Sequence, residues 1–97
     1  MERGGYIYIL TNKNHTVLYT GVTSNLANRL YEHRTGLYKN SFTNKYNVKE
    51  LVYFEEFVSI VEAIDREKQI KAGSRQKKLD LINAFNQEWK DLSGSIG

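Results

Sequence analysis

Two short tyrosine-bearing runs near the start of the chain limit the folds that it can adopt. The runs Gly5–Leu10 and Leu18–Val22 are rich in Tyr, Ile, Leu, Thr and Val, which favour pleated, half-buried strands. The polar stretch Asn12–His15 between them has the residue types of a turn. The pattern therefore predicts an antiparallel hairpin with strands over about 5–11 and 16–22.

The length of the predicted turn sets the pairing of the two strands. If residue 11 faces residue 16, Tyr8 lies directly opposite Tyr19. A directly opposed pair shares one face of a sheet, with Cβ atoms about 4.5–5.5 Å apart. The hairpin is therefore expected to aim two phenol hydroxyl groups at one small region, which core packing alone does not require.

Capping residues and glycines divide the rest of the chain into short helices and one further strand. Ser and Thr side chains open helices by accepting a free backbone N–H, and glycine commonly ends them. The predicted elements are a helix over about 24–35 capped by Thr23 or Ser24 and ending near Gly36, a helical turn around Ser41–Lys45, a strand over about 48–57, a helix from Ser59 to about Ala72, and a helix over about 75–85 capped by Ser74.

These elements predict an α/β (α+β) fold with a small three-stranded, mostly antiparallel sheet flanked by helices. The 97 residues make one domain, expected over 5–92, with short flexible termini at 1–4 and 93–97. The chain has no cysteine, which excludes disulfides and thiolate metal sites and fits a cytoplasmic protein. It has no run near the ~20 apolar residues that a membrane-spanning helix needs.

The first predicted helix adds two polar groups to the tyrosine pair. Leu26 and Leu30 form its apolar stripe, which faces the sheet. Arg29 and His33 lie one turn apart on the flank of that stripe, away from the fully solvated face. Two tyrosines, an arginine and a histidine can therefore converge where the hairpin meets this helix.

Glu67 is set apart by its position on the third predicted helix. At about 100° per residue from Ile60, Glu67 falls near 340°, between the apolar residues Ile64 and Ala63. A carboxylate on a core-facing stripe is costly unless it is paired, hydrogen-bonded or bound to a metal. Two explanations stay open: a buried salt bridge, to Arg29 or Lys71, or a metal ligand.

The net charge of +3 is modest, but the charges are unevenly distributed. Clustered Lys and Arg are typical of phosphate binding, although a solvated pair of helices gives the same pattern. The basic run between residues 66 and 78 contains one acid and six bases, namely Arg66, Lys68, Lys71, Arg75, Lys77 and Lys78. Arg34, Lys39 and Lys45 could extend the patch past the first helix.

The spacing of the polar residues resembles that of a known family. Eleven residues separate Tyr8 from Tyr19, and ten separate Tyr19 from Arg29. His33 follows four residues after Arg29, and Glu67 lies on a later helix. With the tripeptides Tyr-Ile-Tyr and Tyr-Thr-Gly around the two tyrosines, this order resembles the GIY-YIG endonuclease domain.

The resemblance covers roughly residues 5–92 and extends to the tail of the small single-domain bacterial members, which residues 86–92 resemble. There are departures from the pattern. Tyr6 stands where the family has Gly, Thr20 where it has Ile, and Gln87 where many small members carry Pro. None of them removes a side chain that the chemistry would use.

The resemblance implies hydrolysis of DNA phosphodiester bonds, with Mg²⁺ or Mn²⁺ as the cofactor. Glu67 would be the metal ligand, Arg29 would grip the scissile phosphate, and Tyr8 would act as general base or position the water. Because a free phenol has a pKa near ~10, Tyr8 would need a nearby cation or a relay through His33. The implied catalytic residues are Tyr8, Tyr19, Arg29, His33 and Glu67, with Asn86 supplying a further polar contact.

Three functions are consistent with these features. The favoured one is a metal-dependent endonuclease on duplex or branched DNA, structure-selective in repair or recombination and directed by a partner protein. The alternative is a non-cleaving nucleic-acid-binding module of the same fold. A third is a protein-interaction domain that uses the acidic pair Glu55-Glu56 and the aromatic residues of Tyr38–Tyr46. The sequence does not indicate an oligomeric state.

Overall fold

The computed structural model describes residues 4–36 and 41–96. Its core is one antiparallel sheet in the strand order β2-β1-β3, which confirms the predicted fold class. The strands are β1 (Gly5–Thr11), β2 (Leu18–Thr23) and β3 (Glu50–Phe57). The helices are α1 (Leu26–Thr35), α2 (Phe42–Lys45), α3 (Ile60–Ala72) and α4 (Arg75–Phe85), followed by a short 3-10 helix, Leu92–Ser95.

The central strand β1 is buried on both faces. Its residues Ile7 and Ile9 pack with Ala63 and Ile70 of α3 on one face of the sheet. On the other face, Tyr8 and Leu10 pack with apolar residues of α1. Alternation along β1 therefore divides the domain into two layers around the sheet, and the Tyr8 face is the one that α1 covers.

The hairpin register differs from the predicted one. Tyr8 pairs with Gly21, and Tyr19 pairs with Leu10, so the predicted direct Tyr8–Tyr19 pair is wrong. The turn is longer than predicted, because the Asn12 side chain accepts hydrogen bonds from two backbone N–H groups before β2 begins. The shift is two residues, which leaves every side chain on its predicted face.

Most predicted helix caps are confirmed. Ser59 and Ser74 open α3 and α4, and each side chain accepts a backbone N–H of the first turn. The cap of α1 is Asn25, which accepts the N–H of Asn28, so the predicted cap at Thr23 or Ser24 is wrong. Thr23 instead bonds through its hydroxyl to the backbone of Asn25 and orients that cap.

The end of the chain contributes to the core. The residues after 92, which we expected to be flexible, contain most of the 3-10 helix. Ile96 packs against the cluster around Tyr8 and Leu10. No helix in the described ranges has both the length and the apolar composition that crossing a bilayer requires.

Asn86 ends α4 and joins three backbone groups. Its side-chain amide donates to the carbonyls of Val52 and Lys90, at 3.1 and 2.8 Å, and accepts the N–H of Lys90 at 3.1 Å. Val52 lies where β3 shifts its register against β1, so its carbonyl needs this donor. The amide is committed to the backbone, so the sequence-based assignment of Asn86 to the functional site is not supported by its contacts.

We expect Asn86→Ala to lower the free energy of unfolding by about 1–3 kcal/mol, because it leaves the buried Val52 carbonyl without a donor. Urea denaturation measured by circular dichroism checks this value. Asn28→Ala, on an exposed part of α1, is the matched control and should change stability little. Equal stability of the two variants would contradict the buried hydrogen bonds.

Candidate active site

The hairpin and α1 bring three aromatic rings of the predicted site together. The ring centroids of Tyr8 and Tyr19 are 6.4 Å apart, and His33 lies 5.9 Å from Tyr8 and 5.8 Å from Tyr19. The Tyr8 hydroxyl lies 3.2 Å from Nε2 of His33. The predicted convergence is therefore present, although it arises from a diagonal arrangement of the tyrosines.

His33 is held from its other side by α2. Its Nδ1 lies 2.8 Å from the hydroxyl of Thr43, which is buried and lies 3.3 Å from the hydroxyl of Ser41. Ser41 in turn accepts the backbone N–H of Asn44. Sequence reasoning missed Thr43, because no spacing rule links a four-residue helix to a histidine ten positions earlier.

We assign one direction to the hydrogen bonds of this network, in which Ser41 is an acceptor, as it is for the N–H of Asn44. With Ser41 accepting from the hydroxyl of Thr43, that hydroxyl accepts from Nδ1–H of His33. Nε2 is then the acceptor, and the Tyr8 hydroxyl donates to it. We assign the tautomer of His33 from this pattern of partners.

The electrostatic environment favours the neutral forms of both residues. Burial raises the pKa of Tyr8, and nearby Tyr19 raises it further, while Arg29 opposes the shift. Burial and the positive charge of Arg29 lower the pKa of His33 below its usual 6.5, with Glu32 opposing. At pH 7 the pair is therefore a phenol facing a neutral imidazole that is able to accept a proton.

Arg29 presents a cation beside this pair. Its side chain is 40% exposed, and its Nε lies 3.6 Å from a carboxylate oxygen of Glu32. That Nε is buried and has no hydrogen-bond partner within the described ranges. The guanidinium group therefore retains donors for an anionic ligand such as a phosphate.

One of the two predicted explanations for Glu67, a salt bridge to Lys71, is present in the structure. Its side chain is 15% exposed, and its carboxylate lies 3.2 Å from the ammonium of Lys71 on the next turn of α3. Its partner Lys71 lines a hollow together with Tyr19, which places the carboxylate on the side of α3 near the tyrosine pair, and the carboxylate helps to raise the pKa of Tyr8. The salt bridge neutralises the Glu67 carboxylate in the free protein.

The donor set determines which metal site these residues can form. Within the part of the chain that the structure describes, no three His, Cys, Asp or Glu side chains are grouped to hold an ion. Glu67 supplies a single carboxylate, and Mg²⁺ commonly binds through one or two carboxylates plus water and substrate phosphate. The residues therefore fit a site that substrate completes, rather than one that the protein forms alone.

The predicted basic residues do not form one patch. Arg66, Lys77 and Lys78 line a cleft of about 460 Å³ between α3 and α4, and Lys68 is exposed on α3. Arg34 lies on α1, across the sheet, and lines a separate hollow against the C-terminal residues. Lys39 and Tyr38 lie outside the described residues.

Two of these basic side chains have partners within the domain. Arg66 bonds to the carboxylate of Glu55, with 3.2 Å between the charged atoms, and Arg75 donates to the carbonyl of Thr16 at 3.1 Å. Both side chains are tied to a neighbouring strand or loop. They are therefore less available to a ligand than Lys77 and Lys78, for which the described residues show no ion pair.

Gly21 makes room for the Tyr8 phenol. A Cβ placed on Gly21 would lie 2.4 Å from both the hydroxyl oxygen and the ring carbon of Tyr8 that carries it. Real Cβ atoms do not approach other atoms so closely, so the ring occupies the space that a side chain on β2 would need. Tyr8 is 1% exposed, and this contact fixes the depth at which its hydroxyl meets His33.

We expect Gly21→Ala to displace the phenol, break its hydrogen bond to His33 and cost about 1–3 kcal/mol of stability, as overpacking usually does. Thermal denaturation checks the stability. Gly94→Ala is the control, because a Cβ there meets nothing within 4 Å. Adding Tyr8→Leu to Gly21→Ala should restore part of the loss, and a Gly21→Ala variant as stable as the control would show that the contact is unimportant.

Comparisons with known proteins identify the family of the chain. The model of the GIY-YIG catalytic domain matches residues 4–80. A UPF0213 protein of Syntrophus aciditrophicus is 43% identical over 77 residues, which cover 79% of this chain and 87% of that protein. A UPF0213 protein of Oceanobacillus iheyensis is 38% identical over 88 residues, which cover 91% of this chain and 100% of that protein.

A solved structure shows the same likeness in three dimensions. The solution NMR structure of a UPF0213 protein from Bacillus halodurans matches with a TM-score of 0.58 at 30% identity, covering 91% of this chain and 92% of that one. Sequence, family match and structure therefore lead to one assignment, which the spacing of the tyrosines, Arg29 and His33 had predicted. The chain belongs to the GIY-YIG catalytic domain family.

Proposed function

We propose that this protein is a metal-dependent endonuclease that hydrolyses phosphodiester bonds in DNA. The observation that carries the proposal is the 3.2 Å contact between the Tyr8 hydroxyl and Nε2 of His33, with Thr43 on the other ring nitrogen and the partly exposed Arg29 guanidinium nearby. A packing role for these side chains does not need an oriented proton acceptor next to an arginine. Family membership supports the nuclease class, and DNA and the metal are our inference from the site.

Tyr8 and His33 act together on the attacking water. The water gives its proton to the Tyr8 oxygen while the Tyr8 proton moves to Nε2 of His33, so no phenolate has to form at pH 7. The oxygen of the water bonds to phosphorus and the bond to the 3′ oxygen breaks. That oxygen takes a proton from solvent, and His33 returns the proton of the attacking water to solvent. Since Tyr8 is almost fully buried, this route requires substrate binding to admit one water to the hydroxyl.

Tyr19 and Arg29 bind and orient the scissile phosphate. Both side chains are partly exposed and flank the Tyr8–His33 pair, so they are accessible to a DNA strand. Arg29 binds the non-bridging oxygens through its planar donors and offsets charge that develops in the transition state. The Tyr19 hydroxyl orients the water or the phosphate.

Glu67 is the residue that would hold the cofactor. When bound, Mg²⁺ or Mn²⁺ would offset the charge on the leaving oxygen and polarise the phosphate. The chain's own part is to keep one carboxylate at the edge of the tyrosine pair, neutralised by Lys71 in the free protein. A role in DNA repair or recombination, a cytoplasmic location and a targeting partner stay predictions.

The two other candidate functions have less support. The acidic pair proposed as a protein-binding edge is occupied, because Glu55 bonds Arg66 and Tyr53, and Glu56 accepts from the Tyr6 hydroxyl. A binding module without cleavage would not need the neutral His33 acceptor. Cleavage activity separates the binding module from the endonuclease.

We expect Glu67→Gln to abolish Mg²⁺-dependent cleavage while keeping the fold, because it retains the side-chain shape and removes the ligand charge. A plasmid-nicking assay with Mg²⁺ and with EDTA measures the loss, and circular dichroism checks the fold. Glu62→Gln, an exposed change on the same helix, is the control and should cleave as the wild type does. Cleavage at the wild-type rate by Glu67→Gln would show that the metal site lies elsewhere.

We expect Tyr8→Phe to slow cleavage about 100-fold, the usual scale for a positioned acid–base group. Tyr31→Phe, exposed on α1, is the control and should have no effect. Because the pKa of His33 is lowered, His33 is neutral above pH 6.5, and the wild-type rate should fall only as acidification protonates it below that value. A rate in Tyr8→Phe equal to that of the wild type would make Tyr8 a packing residue.

A further inference from the structure

Exposed aromatic rings continue outward from the tyrosine pair. Phe42 of α2 stacks on Tyr19, with ring centroids 6.1 Å apart and planes at 26°. Tyr46 lies 4.9 Å beyond Phe42, and the ammonium of Lys45 lies 5.4 Å from the centroid of Tyr46. Phe42 is 48% exposed, so this row of rings presents an aromatic face to solvent.

This face borders a depression at the edge of β2, which we call the aromatic shelf. Its volume is about 280 Å³, and its lining residues are Leu18, Tyr19, Thr20, Phe42, Lys71 and Lys78. The two lysines come from α3 and α4, which cover the opposite face of the sheet. Aromatic side chains therefore line one side of the hollow at β2, and lysine side chains line the other.

The polar groups of the shelf can still form ion pairs or hydrogen bonds with a ligand. Lys78 has no ion pair in the described ranges, and Lys71 is half exposed although it contacts Glu67. The Thr20 hydroxyl is buried and lacks a hydrogen-bond partner among the residues that the structure describes. An aromatic surface beside the ammonium of Lys78, unpaired among the described residues, and the half-exposed ammonium of Lys71 matches the two halves of a nucleotide, a base and a phosphate.

The shelf suits an unpaired base. In a duplex the faces of internal bases are covered by their stacked neighbours, so a protein ring can stack only on a base that has left the duplex or was never paired. Lys78 also lines the α3–α4 cleft with Lys77, so lysines that are unpaired within the described part of the chain continue from the shelf along α4. A strand with its base on Phe42 would find further phosphate contacts in that direction.

We propose that the aromatic shelf binds an unpaired nucleotide of a DNA strand, with the base on Phe42 and the phosphate on Lys71 and Lys78. This rests on the proposed function in its choice of DNA, and it makes single strands and flaps the preferred substrates over an uninterrupted duplex. The shelf adjoins Tyr19, so the bound nucleotide lies next to the phosphate that the Tyr8–His33 pair would attack.

The test is a binding experiment in EDTA, which does not depend on catalysis. Fluorescence anisotropy measures binding of a labelled oligothymidylate of about ten nucleotides, within usual single-strand site sizes, and of a blunt duplex of equal length. We expect Phe42→Leu to weaken binding of the single strand about 5- to 150-fold, the range that loss of a base–aromatic stack gives. Binding of the duplex should change less than about 2-fold.

Matched variants make the result specific. Phe85→Leu removes a ring of similar exposure, 50%, that packs on Tyr53 and Phe54 near β3, and it should change neither affinity. Phe42→Tyr keeps the stacking ring and should bind as the wild type does. Lys78→Gln should flatten the salt dependence for the single strand by about 0.7 log units per log unit of salt, as one lost phosphate contact does.

The outcomes separate this inference from the proposed function. Equal effects of Phe42→Leu on single strand and duplex, or no effect on either in a folded variant, would overturn the shelf. If Glu67→Gln still loses cleavage in that case, the endonuclease proposal stands without the shelf. Selective loss of single-strand binding in Phe42→Leu supports the shelf even if the wild-type chain cleaves no DNA, a result that would overturn the endonuclease proposal alone.

Discussion

The packing of the Tyr8 phenol into the space left by Gly21 is the contact on which the rest of the site depends. Because β1 is the central strand and is covered on both faces, the phenol has no other direction to take. Its depth sets where the hydroxyl meets His33, and therefore how α1 and α2 must be placed. The glycine of the second motif is in this way part of the site, although it carries no functional group.

Burial determines the protonation states of Tyr8 and His33. The same low-polarity surroundings raise the pKa of Tyr8 and lower that of His33, so both groups are neutral when they meet. A charged group, Arg29, stays at the surface and reinforces the neutral state of the imidazole. The arrangement keeps a proton acceptor available at pH 7 and leaves the positive charge where a phosphate can reach it.

Much of the fold and part of the site could be predicted from local patterns. Strand composition, serine caps and apolar periodicity gave the elements, and the face that Tyr8 shares with Tyr19 survived a register shift of two residues. The shift itself arose from Asn12, whose side-chain bonds to the turn are not visible in a propensity pattern. The Thr43 contact with His33 depends on tertiary placement, which the sequence pattern did not contain.

The acidic residues of β3 give this edge of the sheet a different charge from the edge formed by β2. The sheet has two edge strands, and one of them, β2, is where the shelf lies. The other edge strand, β3, carries Glu50, Glu55 and Glu56, and the Asn86 amide and the Asp91 carboxylate already bond part of its backbone. The two edges of one small sheet therefore differ in charge, because carboxylates lie along β3 and the lysines of the shelf lie beside β2.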